Sequence, residues 1–191
     1  MADALNIVAI CGSLRKGSFN RKLMQNTMAL APASMKITEA PSFGGIPIYN
    51  FDDQEATGFP GAVNAWADAI RSADGVLIVT PEYNWSIPGG LKNAIDWVSR
   101  YKDAEQPFKN KPVVLQSAAG GPLGGSRGQY HLRQSLIPID VITFGKPEVL
   151  VSFAAQKFDE SGKLKDQVAI DLIKQQLAGF ETFVRKLTGK N

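Results

Sequence analysis

The sequence predicts an α/β; doubly wound fold in which five parallel strands take the order 2-1-3-4-5 and helices cover both faces. Three observations predict it. Short apolar runs alternate with segments of helical periodicity from one end of the chain to the other. The run Gly75 to Thr80 is continuous, as a strand buried on both faces must be. Each strand is followed by a helix or a crossover, which favours parallel pairing.

The first strand is the apolar run Leu5 to Cys11, which stops at Gly12. A helical pattern begins around Ser18, carried by Leu23, Met24, Met28 and Ala31 and ended by Pro32. Met35 to Ala40 is a short second strand. Pro41 to Phe59 is a Pro/Gly-rich connection, long enough to suggest function or an interface rather than linkage. Val63, Trp66, Ala67 and Ile70 mark a second helix by their i, i+3, i+4, i+7 spacing. After the third strand, Gly75 to Thr80, a third helix is written in Ile87, Leu91, Ala94, Ile95 and Val98. Ser86 is its expected N-cap, with Pro88 in its first turn. Val113 to Ser117 is the fourth strand, followed by the Gly-rich loop Ala118 to Gly128 and a helix through Tyr130, Leu132 and Leu136. Val141 to Phe144 begins a fifth strand that Val149 to Ser152 could resume. Ile173, Leu177, Phe180, Val184 and Leu187 stripe a long final helix.

With 191 residues, 44% of them hydrophobic, the chain reads as one domain spanning 1–191. The net charge of +3 is mild and its basic residues are scattered, so no nucleic acid partner is implied. No apolar run approaches the ~20 residues that span a bilayer. Met1 to Asn6 has no basic n-region, so neither a signal peptide nor a membrane partner is expected. Cys11 is the only cysteine, which excludes an internal disulfide and fits a reducing, cytoplasmic setting. One cysteine and one histidine also argue against a dedicated metal site.

The loop after the first strand carries the strongest chemical signal. A buried strand feeding a helix N-terminus through Gly12-Ser13-Leu14-Arg15-Lys16-Gly17-Ser18-Phe19-Asn20 makes an anion site, because unpaired backbone N–H groups and the helix dipole converge there. Ser13, Ser18 and Asn20 add side-chain donors, and Arg15 adds a planar charged fork. Gly12 and Gly17 have the spacing of a P-loop, but Ser18 and Phe19 stand where that motif needs lysine and a hydroxyl. No dinucleotide G-x-G-x-x-G follows the strand either, so a monophosphate fits better. The competing reading is an ordinary strand-to-helix turn with solvated basic residues.

Two further loops fall on the same edge of such a sheet, where these folds bind ligands. Pro81-Glu82-Tyr83-Asn84-Trp85 sets two aromatics around an amide, which suits a flat heterocycle needing stacking and rim hydrogen bonds. Tyr83 and Trp85 could equally cover the sheet edge. The third loop, Ser117 to Gly128, is rich in glycine, which lets backbone approach a ligand closely.

On these residues the chain resembles the NADPH-dependent FMN reductases of the flavodoxin-like fold, and among them the bacterial chromate/quinone reductases. The matching segments are Gly12 to Asn20, Thr80-Pro81-Glu82-Tyr83-Asn84 and Ser86-Ile87-Pro88-Gly89-Gly90-Leu91-Lys92-Asn93-Ala94-Ile95-Asp96-Trp97. Gly128-Gln129-Tyr130-His131-Leu132-Arg133-Gln134 is similar to the family's fourth helix. The resemblance implies bound FMN, NADH or NADPH as electron donor, and two-electron delivery to quinones, with chromate-like acceptors besides. It also implies a homotetramer built as a dimer of dimers. Carried over by position, the FMN phosphate falls to Ser13, Arg15, Ser18, Phe19 and Asn20. The isoalloxazine ring falls to Pro81, Glu82, Tyr83, Asn84 and Trp85, with Ser117 and Gly120 from the third loop. Trp85 stands where relatives often carry tyrosine, and Arg127 lies where the family builds part of a subunit interface.

No catalytic triad is expected, since a flavin carries the electrons while protein supplies orientation and electrostatics. His131 has no evident partner in the sequence, and Glu82 reads either as a proton-handling group or as a loop-bonding carboxylate. Two other functions stay open: a flavodoxin-like electron carrier that does not oxidise NAD(P)H, and a flavin-free binding protein on the same fold. The positive charge disfavours the carrier, because such carriers dock through acidic surfaces.

Overall fold

A computed structural model describes residues 3–102 and 105–190. Its sheet has the order expected from the sequence. Strand β1 (Leu5–Cys11) lies between β2 (Met35–Glu39) and β3 (Gly75–Val79), and β4 (Pro112–Ala118) pairs with β3 on the far side. All pairings are parallel, with registers such as Ile7 opposite Ile37, Ala9 opposite Leu77 and Ile78 opposite Leu115. The fifth position is broken in two: β5 (Ile142–Thr143) pairs with Pro112 and Val113, and β6 (Val149–Val151) resumes beside Gln116 to Ala118. The sequence expectation of a strand that stops and restarts therefore holds.

Strand periodicity sorts the core into two layers. Val8, Ile10, Val76, Ile78, Val113 and Leu115 face one side. There they meet α3 (Gly61–Ser72), α4 (Gly89–Val98) and α5 (Ser126–Leu136) through Trp66, Leu91 and Leu132. Leu5, Ile7, Ala9, Leu77, Val79 and Val114 face the other side. They pack on α1 (Phe19–Ala29) and α6 (Gln167–Thr188) through Leu23, Met24, Ile173 and Phe180. Since β1, β3 and β4 are covered on both faces, their sequences are mostly apolar, with Asn6 at the exposed start of β1 and Gln116 and Ser117 near the end of β4 as the polar exceptions.

One expectation is met, one fails, and one segment holds more than its sequence showed. The first helix ends at Ala29 with Leu30 as its C-cap, and Pro32, two residues on, cannot continue it. Ser86 does not cap α4. The N-cap is Pro88, which offers no side-chain acceptor, and Ile87 precedes the helix. Ser86 is committed elsewhere, because its backbone pairs with Tyr83 in both directions. The connection from Pro41 to Phe59 holds a 3-10 turn at Phe43–Gly45 and a short helix, α2 (Phe51–Thr57). The α2 helix buries no side chain, so it left no apolar stripe to read. It stands on its caps: Asn50 accepts from the Asp52 amide, and Gly58 closes the last turn at φ 77°.

Candidate functional site

Three loops leave the C-terminal ends of β1, β3 and β4 side by side, and a cleft of about 250 Å³ opens between them. The close seating of the first two loops depends on Gly12. A Cβ there would lie 2.4 Å from Thr80 Oγ1 and 3.0 Å from Thr80 Cα, so only glycine fits.

The β1–α1 loop supplies one end. Ser18 caps α1, its Oγ accepting from the amides of Asn20 at 3.1 Å and Arg21 at 3.4 Å. The hydroxyl proton stays free to donate. Ser13 is arranged alike: its Oγ accepts from the Arg15 amide at 3.4 Å. Both hydroxyls are buried at the base of the loop, whereas Arg15 is exposed and makes no ion pair among the described residues. Arg15 lies over Gly17, where a Cβ would sit 3.6 Å from Nη2. The Phe19 amide opens the first turn of α1 with no protein acceptor among the described residues. Hydroxyls, a helix N-terminus and a guanidinium thus converge with no carboxylate at this end. Cys11 closes β1 beneath the loop, donating to the Ser13 carbonyl at 3.5 Å, and burial pushes its thiol pKa up. A thiol of that kind packs rather than reacts.

Asn20 departs from the expected role. Its Nδ2 donates to the Ala118 carbonyl and its Oδ1 accepts from the Ala118 amide, each at 2.9 Å. The side chain therefore joins α1 to β4 and commits one of its two N–H donors there.

The second loop is a tight hairpin turn. Tyr83 and Ser86 exchange backbone hydrogen bonds of 2.9 and 3.0 Å, while Asn84 (φ 50°) and Trp85 (φ 64°) both adopt left-handed backbone. A two-residue turn of this hand requires positive φ at both positions, and a bulky residue there is strained. Trp85 is 64% exposed, and the Arg127 guanidinium stacks 4.0 Å above its ring. Glu82 turns back towards the third loop. Its Oε2 accepts from the Gly128 amide at 3.0 Å and so caps α5, which has no side-chain cap of its own. The loop-bonding role of Glu82 is the one observed. His131 does have a partner, since its Nδ1 lies 3.1 Å from Ser86 Oγ.

The third loop is fastened from below. Ser117 Oγ donates to the Gly124 carbonyl at 2.6 Å and accepts from Gln129 Nε2 at 2.9 Å. At Gly125, φ is 88° and a Cβ would meet Ser117 Cβ at 2.8 Å, so the loop can close only with glycine.

Of the residues expected from the sequence, Ser13, Arg15, Ser18, Phe19, Asn20, Pro81, Glu82, Tyr83 and Gly120 line the cleft. Asn84 and Trp85 do not line it, because the turn carries them outward. Ser117 is excluded because its hydroxyl is turned into the loop base. Ala118 and Ala119 line the cleft unforeseen, since residues that contribute backbone leave no mark in side-chain chemistry. Two further hollows adjoin it. One shares Glu82 and runs beneath Pro122, Leu123 and Arg127. The other shares Arg15 and Tyr83 and is walled by Leu14, Phe43 and Gly89. Phe43 comes from the long connection, the one part of that segment to reach the site.

Comparison with known proteins gives a consistent picture. The sequence profile of the NADPH-dependent FMN reductases matches residues 5–156. A quinone reductase of Escherichia coli K12 is 47% identical over 188 residues, covering 98% of this chain and 99% of the relative. An NAD(P)H-dependent FMN reductase of Pseudomonas aeruginosa is 47% identical over 189 residues, covering 99% of this chain and 100% of the relative. Among solved structures, the flavoenzyme NAD(P)H:(acceptor) oxidoreductase FerB from Paracoccus denitrificans superposes with a TM-score of 0.85 at 31% identity, over 96% of this chain and 98% of that one.

Proposed function

Because the chain belongs to the NADPH-dependent FMN reductase family, we propose that it is an FMN-dependent NAD(P)H oxidoreductase that reduces quinones by two electrons. The observation that carries this reading is the cleft itself. It has an anion-binding end without a carboxylate and an aromatic, backbone-lined end, within one small hollow. Those residues fit a flavin mononucleotide. Ser13 and Ser18 would donate their hydroxyl protons to the phosphate, the Phe19 amide and the α1 dipole would add to them, and Arg15 would close over it. Pro81, Tyr83 and Gly120 would hold the ring, and Glu82 would keep that wall in place through its bond to Gly128. Flavin supplies hydride acceptance and donation when bound, so the protein needs no nucleophile or acid–base pair of its own.

The adjoining hollow beneath Leu123 and Arg127 supplies an apolar floor and a cation for a planar acceptor bearing carbonyl oxygens. Chromate-like anions would be drawn to the same arginine. The exposed Leu123 lines this opening and the exposed Trp85 stacks against its Arg127, and such a surface is suited to a second subunit. We assign the chain a homo-oligomeric state on that ground, with the tetramer implied by family resemblance. Among the described residues no helix is long and apolar enough to cross a membrane, and a cytoplasmic site of action fits the single buried thiol. Steady-state turnover of the FMN-loaded protein with NADH or NADPH and a quinone tests the reading. Parallel double-reciprocal lines are expected, and no NAD(P)H oxidation with any quinone would refute it.

A further inference from the structure

The sheet runs out of partners where the cleft begins. The last bond between β3 and β4 is Thr80 N–H to the Gln116 carbonyl. Beyond it the chain turns away into the Pro81 loop, and neither the Thr80 carbonyl nor the Glu82 amide, the next groups on that side, bonds Ala118. On its other edge β4 is occupied by β6, with Ala119 N–H donating to the Val151 carbonyl. The amide and carbonyl of Ala118 point to the edge that β3 has left, at a residue 2% exposed. Buried backbone groups of this kind need partners. The Asn20 carboxamide supplies both, at 2.9 Å each, from 98 positions away. It acts there as one more peptide unit of β3.

From this geometry we propose that Asn20 is a positioning residue. It fastens the Ala118–Gly120 wall to the first turn of α1 and thereby fixes the spacing between the phosphate end and the ring end of the cleft. The proposal rests on the flavin reading for its consequence but not for its geometry. Asn20 does not act chiefly as a phosphate ligand: its backbone N–H is held by Ser18 Oγ and its carboxamide by Ala118. Loosening the clamp should therefore disturb the ring end.

The test compares Asn20→Ala and Asn20→Asp with the parent protein in two measurements. The first is amide hydrogen exchange over Ala118–Gly120 without flavin. Asn20→Ala should speed exchange there about tenfold, as local opening requires. Asn20→Asp keeps one acceptor but sets a carboxylate against the Ala118 carbonyl, and should do likewise. The second is titration with FMN and with riboflavin, which has the same ring and no phosphate. Both affinities should fall by the same factor, about tenfold, and the visible band of the bound flavin should move towards that of free flavin. A fall for FMN with riboflavin unchanged would make Asn20 a phosphate ligand and overturn the proposal. Unchanged exchange over Ala118–Gly120 would overturn it as well. Should the parent bind neither flavin, the flavin reading fails and the exchange result alone decides the clamp. If Asn20→Ala does not fold, Asn20→Asp carries both comparisons.

Discussion

Replacing Ser18 separates what the residue does for α1 from what it does for a phosphate. Its Oγ holds the Asn20 and Arg21 amides, so Ser18→Ala removes the cap and should cost about 1 kcal/mol. For a chain of this length that lowers the melting temperature by about 2–4 °C. Aspartate caps a helix as well as serine does, so Ser18→Asp should melt within a degree or so of the parent. It also places a carboxylate where the phosphate would sit. At about 4 Å and an effective dielectric of about 20, that repulsion is on the order of 4 kcal/mol per unit of phosphate charge. Screening in an open cleft reduces it, leaving a loss of FMN affinity of at least about tenfold. Riboflavin, lacking phosphate, should bind Ser18→Asp as it binds the parent. Thermal melts of the flavin-free proteins and fluorescence titration with the two flavins measure all of this. Parent-like FMN affinity in Ser18→Asp would show that the phosphate lies elsewhere.

Glu82→Ala removes the only side-chain acceptor among the described residues for the first turn of α5; it should lose about 1 kcal/mol of stability by urea denaturation and loosen the Gly128 amide to exchange, while Glu82→Gln keeps much of both. Gly12→Ala drives a methyl into Thr80, 2.4 Å from its Oγ1, and should destabilise by about 1–3 kcal/mol in the same assay. The Lys157 ammonium and the Ala169 amide hold the Asp166 carboxyl below the usual aspartate range. That stabilisation is present above the unfolded-state pKa of about 3.9 and is lost as pH falls through the lower folded value. Asp166→Asn retains the cap without the titration, so its stability should decline less steeply than the parent's below about pH 4, as melts across that range will show.

What the sequence revealed was set by burial. The strands Leu5–Cys11, Gly75–Val79 and Pro112–Ala118 are buried along nearly their whole length, so their apolar composition gave away both their place and their parallel pairing. The β1–α1 loop stood out as a candidate anion site because hydroxyls, glycine and arginine gather there between a strand and a helix N-terminus. The α2 helix was hidden because it buries nothing, and local capping leaves a fainter trace than an apolar face. The turn at Asn84-Trp85 was hidden for a different reason: Asn-Gly announces such a turn, whereas tryptophan at positive φ contradicts local preference. Asn20 was read as a ligand because its neighbours are donors. Its partner, Ala118, could be found only once the folded sheet showed where β3 ends. Glu82 and His131 were undecided for the same reason, since Gly128 and Ser86 are brought to them by the fold and not by spacing.

Two-electron transfer from a nicotinamide through flavin to a quinone is the activity proposed for this cleft. The most direct measurement is anaerobic mixing of the FMN-loaded protein with NADPH or NADH, followed by addition of a quinone. The visible flavin band should bleach with one molar equivalent of the nucleotide and return in full with one equivalent of quinone. A flavin that stays oxidised with either nucleotide, yet is reduced by a one-electron donor, would contradict the account and mark the protein as an electron carrier.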